Sequence, residues 1–228
     1  MRLIATALGL LLAACAATPA PRTPVDRELA NLANPSAVIA TELAFARAAR
    51  ERGQWTAFRE FAATNAVMFV PEAVKAQEWL KGRADPAQAV QWQPHRVWMS
   101  CDGSLAVTQG AAQWPDGRPG SFVTVWERQR GGGYKWVLDK GEFIDTPLRS
   151  PDFIRTEVAA CGKPAGLTQM LEGSFPDAPD ATERRAARDA TLSIVMWAWD
   201  EGRTVSSMSI YRDGDFTVLS PETGASAE

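Results

Sequence analysis

Few residues in this chain could support metal, phosphate or nucleophilic chemistry. The sequence has one histidine and three widely separated cysteines, too few for a zinc site of the common closed kind. Three glycines at 131–133 join two predicted strands and are not followed by Lys-Ser/Thr, and no Gly-x-Ser-x-Gly motif occurs. We therefore expect no metal, no cofactor and no nucleophilic hydrolysis.

The residues that could move protons are carboxylates and the single histidine. Asp139 and Glu142 lie on one predicted strand, but their spacing places them on opposite faces, which argues against a carboxylate pair. Asp139 is then either a lone pocket carboxylate or half of a salt bridge at the rim. His95 follows a proline at a strand entrance, where a surface or capping role is commoner than a catalytic one.

The first fifteen residues predict where the protein is located in the cell. Met1 and Arg2 precede an apolar run from Leu3 to Leu12, the layout of a secretory signal and too short to span a bilayer. The sequence Leu12-Ala13-Ala14-Cys15 resembles the lipobox of bacterial lipoproteins, which implies removal of residues 1–14 and acylation of Cys15. The alternative is ordinary cleavage followed by a chance cysteine. Ala16 lacks the acidic character of an inner-membrane retention signal, so we expect an outer-membrane anchor on the periplasmic face.

Two cysteines remain once Cys15 carries lipid. Cys101 lies at a strand end and Cys161 in a later connection. An oxidising periplasm and an even remaining count favour a disulfide between them, with two separately buried thiols as the alternative. Such a bond would attach the connection to the sheet.

Length and composition predict one soluble body with an attachment. The chain has 228 residues, of which 46% are hydrophobic and 22% charged, within the globular range. A formal charge of −3 gives no general attraction for phosphates, so we expect no nucleic-acid partner. After the signal, residues 15–35 form a proline-rich tether.

Helical periodicity dominates the first part of residues 36–146. Apolar residues from Val38 to Ala49 follow one helix face up to Gly53, and Trp55, Phe58 and Phe61 predict a second helix. A strand is expected over 66–70 and a third helix over 72–80.

Beyond Pro94 the apolar period changes to that of strands. Short breaks separate four β-rich segments, 96–101, 104–114, 121–130 and 134–143, and so predict an antiparallel meander. Three helices on a long curved antiparallel sheet make an α+β fold.

Residues 36–146 resemble the nuclear transport factor 2-like superfamily and its SnoaL-like group of bacterial proteins. The resemblance rests on Glu42-Leu43-Ala44-Phe45-Ala46, Arg52-Gly53-Gln54-Trp55, Asn65-Ala66-Val67-Met68-Phe69-Val70-Pro71 and the strands 122–126 and 135–139. It implies a cone-like domain with an apolar pocket between helices and sheet. Relatives use such pockets for catalysis, ligand binding or pairing of subunits.

The resemblance implies three functions that the residues leave open. The leading one is non-catalytic binding of a small apolar ligand or a protein partner. The second is an isomerase or cyclase-like enzyme using Asp139 or His95 as acid or base, with Glu72 and Glu142 as weaker candidates. The third is a structural assembly factor that forms a homodimer through an open sheet face. Fold alone does not decide among them.

Nine tryptophans, together with the phenylalanines, are the source of candidate pocket residues. We expect Phe45 and Phe69 from the helical side, and Trp98 and Trp126 from the sheet, to line the pocket. The competing interpretation is that most of these rings fill a small core, and a shift of one residue in register would invert the choice of face.

The tail forms a separate unit. Residues 147–188 contain five prolines and are expected to be a connection. Residues 189–228 contain three β-rich segments, the last two joined by Asp213-Gly214, a strong hairpin signal. Three strands alone are marginally stable, so we expect this meander to dock on the main domain or on another subunit.

Overall fold

The computed structural model describes residues 33–162, 183–198 and 203–221. The predicted signal peptide, Cys15 and most of the tether lie outside these residues. The helices within the described ranges are α1 Pro35–Arg52, α2 Gln54–Phe61 and α3 Ala76–Leu80. No helix in those ranges is both long enough and apolar enough to cross a membrane.

The strands form two sheets. The main sheet has the order β2-β1-β6-β5-β4-β3-β7, and its strands are β1 Ala62–Phe69, β2 Ala73–Lys75, β3 Gln91–Met99, β4 Leu105–Gln113, β5 Pro119–Arg128, β6 Tyr134–Phe143 and β7 Arg155–Val158. The second sheet has the order β11-β10-β9-β8, and its strands are β8 Glu183–Ala186, β9 Leu192–Ala198, β10 Thr204–Arg212 and β11 Asp215–Leu219. Helices on a large curved sheet make a mixed α+β fold, consistent with the nuclear transport factor 2-like resemblance.

Several predicted elements need correction. Strands β3 to β6 form the expected antiparallel meander, but β1 pairs parallel with β6 and β7 pairs parallel with β3. The third helix begins at Ala76 because residues 73–75 pair with β1 as a short strand. The second sheet has four strands rather than three, since β8 arises within the predicted connection.

Local sequence fixes the limits of α1. The side chain of Asn34 accepts a hydrogen bond from the Ala37 N–H at 3.3 Å, and Pro35 occupies the first turn, where its missing N–H costs nothing. The helix ends at Gly53, whose φ of 108° is unfavourable for residues that carry a Cβ. This break directs α2 back across the sheet.

The central strands of the main sheet are buried on both faces. The inner face meets α1 and α2 and carries alternate residues such as Phe122, Thr124 and Trp126. The intervening residues Val123 and Val125 point to the outer face and are fully buried. They belong to the same apolar core as the residues of the second sheet, among them Ile194, Met196 and Met208.

The second sheet is held on this outer face by polar contacts as well. The Thr191 hydroxyl accepts a hydrogen bond from the Cys101 N–H at 2.9 Å, and the Tyr211 carbonyl accepts one from the Ala160 N–H at 2.8 Å. Arg212 forms an ion pair with Glu157 of β7. The tail therefore docks on the main domain and covers part of the open sheet face expected to support a homodimer, around Val123 and Val125.

The disulfide predicted between Cys101 and Cys161 is present, with Cα atoms 5.2 Å apart. It joins the turn after β3 to the segment after β7. Because the Ala160 N–H is hydrogen-bonded to the Tyr211 carbonyl of β10, the disulfide lies directly beside the contact between the two sheets.

Candidate functional site

A cavity of about 530 Å³ lies between the helices and the inner face of the main sheet, and Arg203 and Thr204 of the tail also border it. Its walls are largely aromatic and include Phe45, Phe58, Trp92 and Phe122. The ring of Phe45 packs 4.8 Å from both Phe58 and Trp92, measured between centroids. Such packing holds the wall rigid and presents apolar surface to whatever occupies the cavity.

Asp139 is the polar group on the inner strand face of this cavity. It is the register partner of Thr124 on β5, and its Oδ1 accepts a hydrogen bond from the Thr124 hydroxyl at 2.7 Å. Burial raises the pKa of Asp139 to about 7, the Thr124 bond lowers it in part, and the nearby charge of Glu42 raises it further. Both forms of the carboxyl are therefore populated near neutral pH, one a donor and the other only an acceptor.

Among the residues that the structure describes, no lysine or arginine forms the salt bridge expected as the alternative for Asp139. Lys140 also borders the cavity, but its Nζ donates to Glu142 Oε1 at 3.2 Å and to the Thr204 carbonyl at 2.6 Å. Glu142 also lines the cavity, but its carboxylate is bound to Lys140. Asp139 and Glu142 thus do not act as a pair, in agreement with their spacing.

Glu42 on α1 is a buried carboxylate that was not among the predicted site residues. It is fully buried, and three side chains donate to it: Trp92 Nε1 at 2.8 Å, Trp126 Nε1 at 3.0 Å and Thr108 Oγ1 at 2.6 Å. Burial raises the pKa of Glu42, while these bonds oppose the increase. The available signal was its position among the apolar residues Val38 and Phe45, on the face of α1 that meets the sheet.

Replacing Glu42 by alanine is expected to lower the free energy of unfolding by about 3 kcal/mol, because buried donors lose their acceptor. Urea unfolding measures the loss. Glu51→Ala, on the exposed face of the same helix, is the matched control and should change stability by less than about 0.5 kcal/mol. Equal losses in the two variants would show that the Glu42 contacts contribute nothing specific.

The predicted pocket residues divide into two groups. Phe45 and Phe69 line the cavity. Trp126 lies on the inner face but is fully buried behind the lining, bound to Glu42. Trp98 is the register partner of Val107 on the outer face, so it does not reach the cavity.

A β-bulge explains the position of Trp98. The register of β3 against β4 shifts between Pro94 and Arg96, which leaves His95 as the extra residue. Gly110 permits this close approach, since a Cβ there would lie 1.9 Å from the Gln93 carbonyl oxygen. Beyond the bulge, each side chain of β3 points to the sheet face opposite to the one that uninterrupted alternation would give it.

The remaining acid–base candidates lie away from this cavity. His95 lines a separate cavity, so the structure does not bring it together with Asp139. Glu72 is exposed in the turn between β1 and β2. Tyr134, which was not among these candidates, donates a hydrogen bond from its hydroxyl to the Gly103 carbonyl at 2.8 Å, a structural contact. No group of histidine, cysteine, aspartate and glutamate side chains suited to a metal ion occurs in the part of the chain that the structure describes.

Comparisons with known proteins concern about half of the chain. No family model matches the sequence, and no curated protein matches it. Among solved structures, an NTF2-like protein of unknown function from Shewanella baltica is 13% identical, with a TM-score of 0.37, over 55% of this chain and 100% of its own. Nuclear transport factor 2 from Cryptosporidium parvum is 15% identical, with a TM-score of 0.36, over 50% of this chain and 98% of its own. The Δ5-3-ketosteroid isomerase from a Mycobacterium species is 12% identical, with a TM-score of 0.34, over 47% of this chain and 93% of its own.

Proposed function

We propose that this chain is an envelope-anchored lipoprotein whose nuclear transport factor 2-like domain, residues 36–146, binds a small, largely apolar ligand without transforming it. The observation that carries the proposal is the aromatic cavity of about 530 Å³ with the carboxyl of Asp139 on its inner face. Cavities of this size and composition suit small molecules.

The chemistry of Asp139 narrows the ligand class. A carboxyl with a pKa of about 7 is substantially protonated at neutral pH and can then donate a hydrogen bond to a carbonyl or hydroxyl oxygen. Thr124 occupies Oδ1, so Oδ2 is the atom directed to the ligand. The proposed ligand is an apolar molecule with one such oxygen.

Filling the cavity from Gly141 is expected to weaken ligand binding at least about tenfold. Gly141 lines the cavity and is the register partner of Phe122, so a side chain there points to the inner face. A Cβ at this position would lie 3.6 Å from the Trp114 ring, an ordinary contact. The Cβ of a residue at position 141 therefore fits without displacing the backbone, and we expect the rest of the Gly141→Leu side chain to occupy cavity space. The measurement is fluorescence titration with N-phenyl-1-naphthylamine, a neutral apolar probe.

The matched control is Gly133→Leu in the β5–β6 hairpin, where a Cβ would meet no atom within 4 Å. It should bind the probe as the wild type does. Unchanged binding in Gly141→Leu would place the probe elsewhere on the molecule and contradict the proposed site.

A second function, isomerase or cyclase-like catalysis, is favoured by one observation. A pKa of about 7 is suited to a general acid or base at neutral pH, and Asp139 has this value. The second carboxylate, Glu42, is occupied by three donors and is not directed at the cavity. Asp139→Asn separates the two functions: a binding protein keeps its ligand with a modest loss of affinity, whereas an enzyme keeps binding and loses turnover.

The anchor part of the proposal rests on Cys15, which lies outside the described residues. Its support is the lipobox-like sequence, and multiple acyl chains would hold the chain durably in the outer membrane. Metabolic labelling with a fatty-acid probe should mark the wild type and leave Cys15→Ala unlabelled. Cys101→Ala is the matched control, because it removes a different cysteine and should keep the label. Labelling of Cys15→Ala at the wild-type level would contradict the anchor.

A further inference from the structure

A second cavity, of about 430 Å³, is built very differently from the apolar one. It lies on the other side of the β3–β4 pair and is lined by residues 148–153 together with His95, Arg96, Gln109 and Arg155. None of its lining residues belongs to the lining of the apolar cavity. It is therefore a separate site within the described part of the chain.

Positive side chains converge on this cavity. Arg96 is the register partner of both Gln109 on β4 and Arg155 on β7, so the three side chains share one face in a row across neighbouring strands. Arg149 from the preceding segment completes the set. With three arginines and one aspartate, Asp152, the lining residues carry a formal charge of 3 − 1 = +2.

Two of these arginines are available to a ligand. Arg96 has a partner of its own within the protein. Arg149 and Arg155 are exposed, and neither forms an ion pair with another residue that the structure describes. Two exposed guanidinium groups that line one cavity can both donate hydrogen bonds to a bound anion.

His95 gives an independent indication. It is only 7% exposed, and its Nε2 has no hydrogen-bond partner among the described residues. A buried polar atom without a partner is costly and is normally satisfied by protein, water or ligand. Burial lowers the pKa of His95 and so favours the uncharged ring, whose Nε2 can donate a hydrogen bond when it carries the proton.

We propose that this cavity binds a phosphate group, held by Arg149 and Arg155 at its rim and by the His95 Nε2–H at its base. Arginine is the residue that best matches the oxygens of phosphate, through paired N–H donors. The group can belong to a soluble phosphate ester or to a phospholipid headgroup. Phe153, which is 72% exposed beside the arginines, would contact the remainder of either molecule.

The single histidine of the chain makes the test direct. The full chain with Cys15→Ala and no histidine tag gives one set of imidazole ¹⁵N signals, which can be followed as inorganic phosphate is added at constant ionic strength. We expect a saturable shift of the Nε2 signal. Arg149→Gln/Arg155→Gln should weaken phosphate binding at least about tenfold. Arg47→Gln/Arg130→Gln, with the same loss of charge at exposed positions elsewhere, should bind as the wild type does.

A vesicle assay distinguishes the two sources of the phosphate. Co-sedimentation uses phosphatidylcholine vesicles with and without phosphatidylglycerol. Preferential binding to phosphatidylglycerol that the Arg149/Arg155 variant loses and the control variant keeps assigns the site to headgroups; a phosphate-induced Nε2 shift without that preference assigns it to soluble esters. Absence of both effects, or equal effects in the two variants, would overturn the proposal.

Discussion

Replacing Cys101 and Cys161 together by alanine is expected to lower the free energy of unfolding by about 4 kcal/mol. The disulfide closes a loop of 60 residues, and the entropy that it removes from the unfolded chain sets this value. For a chain of this length the melting temperature should fall by roughly 8–16 °C. Thermal and urea unfolding under non-reducing conditions measure both quantities.

Cys15→Ala is the matched control for this experiment, because it removes the remaining cysteine and leaves the disulfide intact. It should unfold as the wild type does. Reduction of the wild type should reproduce most of the loss seen in the double variant. A double variant as stable as the wild type, or two alkylatable thiols besides Cys15 in the denatured, unreduced protein, would contradict the disulfide.

Asp139→Asn is expected to stabilise the fold above pH 7 by at most about 4 kcal/mol. The folded-state pKa of Asp139 is about 7 and its ordinary value is 3.8, a difference of 7 − 3.8 = 3.2. Between these values the folded chain holds a proton that the unfolded chain has lost, so wild-type stability falls as pH rises from about 4 to about 7. Asparagine does not titrate and still accepts the Thr124 hydrogen bond.

Urea unfolding at intervals from pH 4 to pH 8.5 tests this dependence. The two proteins should be nearly equal in stability at pH 4 and diverge up to pH 7, after which the difference is constant. Asp116→Asn is the control of opposite sign, since backbone and side-chain hydrogen bonds from Arg118 lower the pKa of that exposed carboxylate. Asp116→Asn should not raise the free energy of unfolding at high pH. If the free energy of unfolding depended on pH in the same way for the wild type and for Asp139→Asn, the pKa of Asp139 would not be raised in the folded chain.

Local sequence signals predicted the elements whose contacts are local. The hairpin breaks between β3 and β6 follow from their glycines and from Pro115-Asp116-Gly117, and the second-sheet hairpin follows from Asp213-Gly214. By contrast, β7 has four residues and pairs in parallel with β3, a partner more than fifty positions earlier. A short edge strand of this kind carries no periodicity that could predict its pairing.

The site could be predicted only in part, for two physical reasons. Asp139 was a candidate because it is a carboxylate on a predicted strand of the main sheet, where alternation separates it from Glu142. Glu42 was not, because its three donors come from strands distant along the chain. The sheet face of Trp98 was predicted wrongly because the one extra residue at His95 reverses the face to which every later side chain of β3 points.

Native mass spectrometry of the wild type, Gly141→Leu and Gly133→Leu, each purified from the envelope of the same cells, tests the ligand-binding cavity most directly. Wild-type protein that retains a small apolar molecule, which Gly141→Leu lacks and Gly133→Leu keeps, is the predicted result. The same retained mass in all three proteins, or a wild type that carries no small molecule and takes up no neutral apolar compound offered to it, would contradict a ligand-binding function for this cavity.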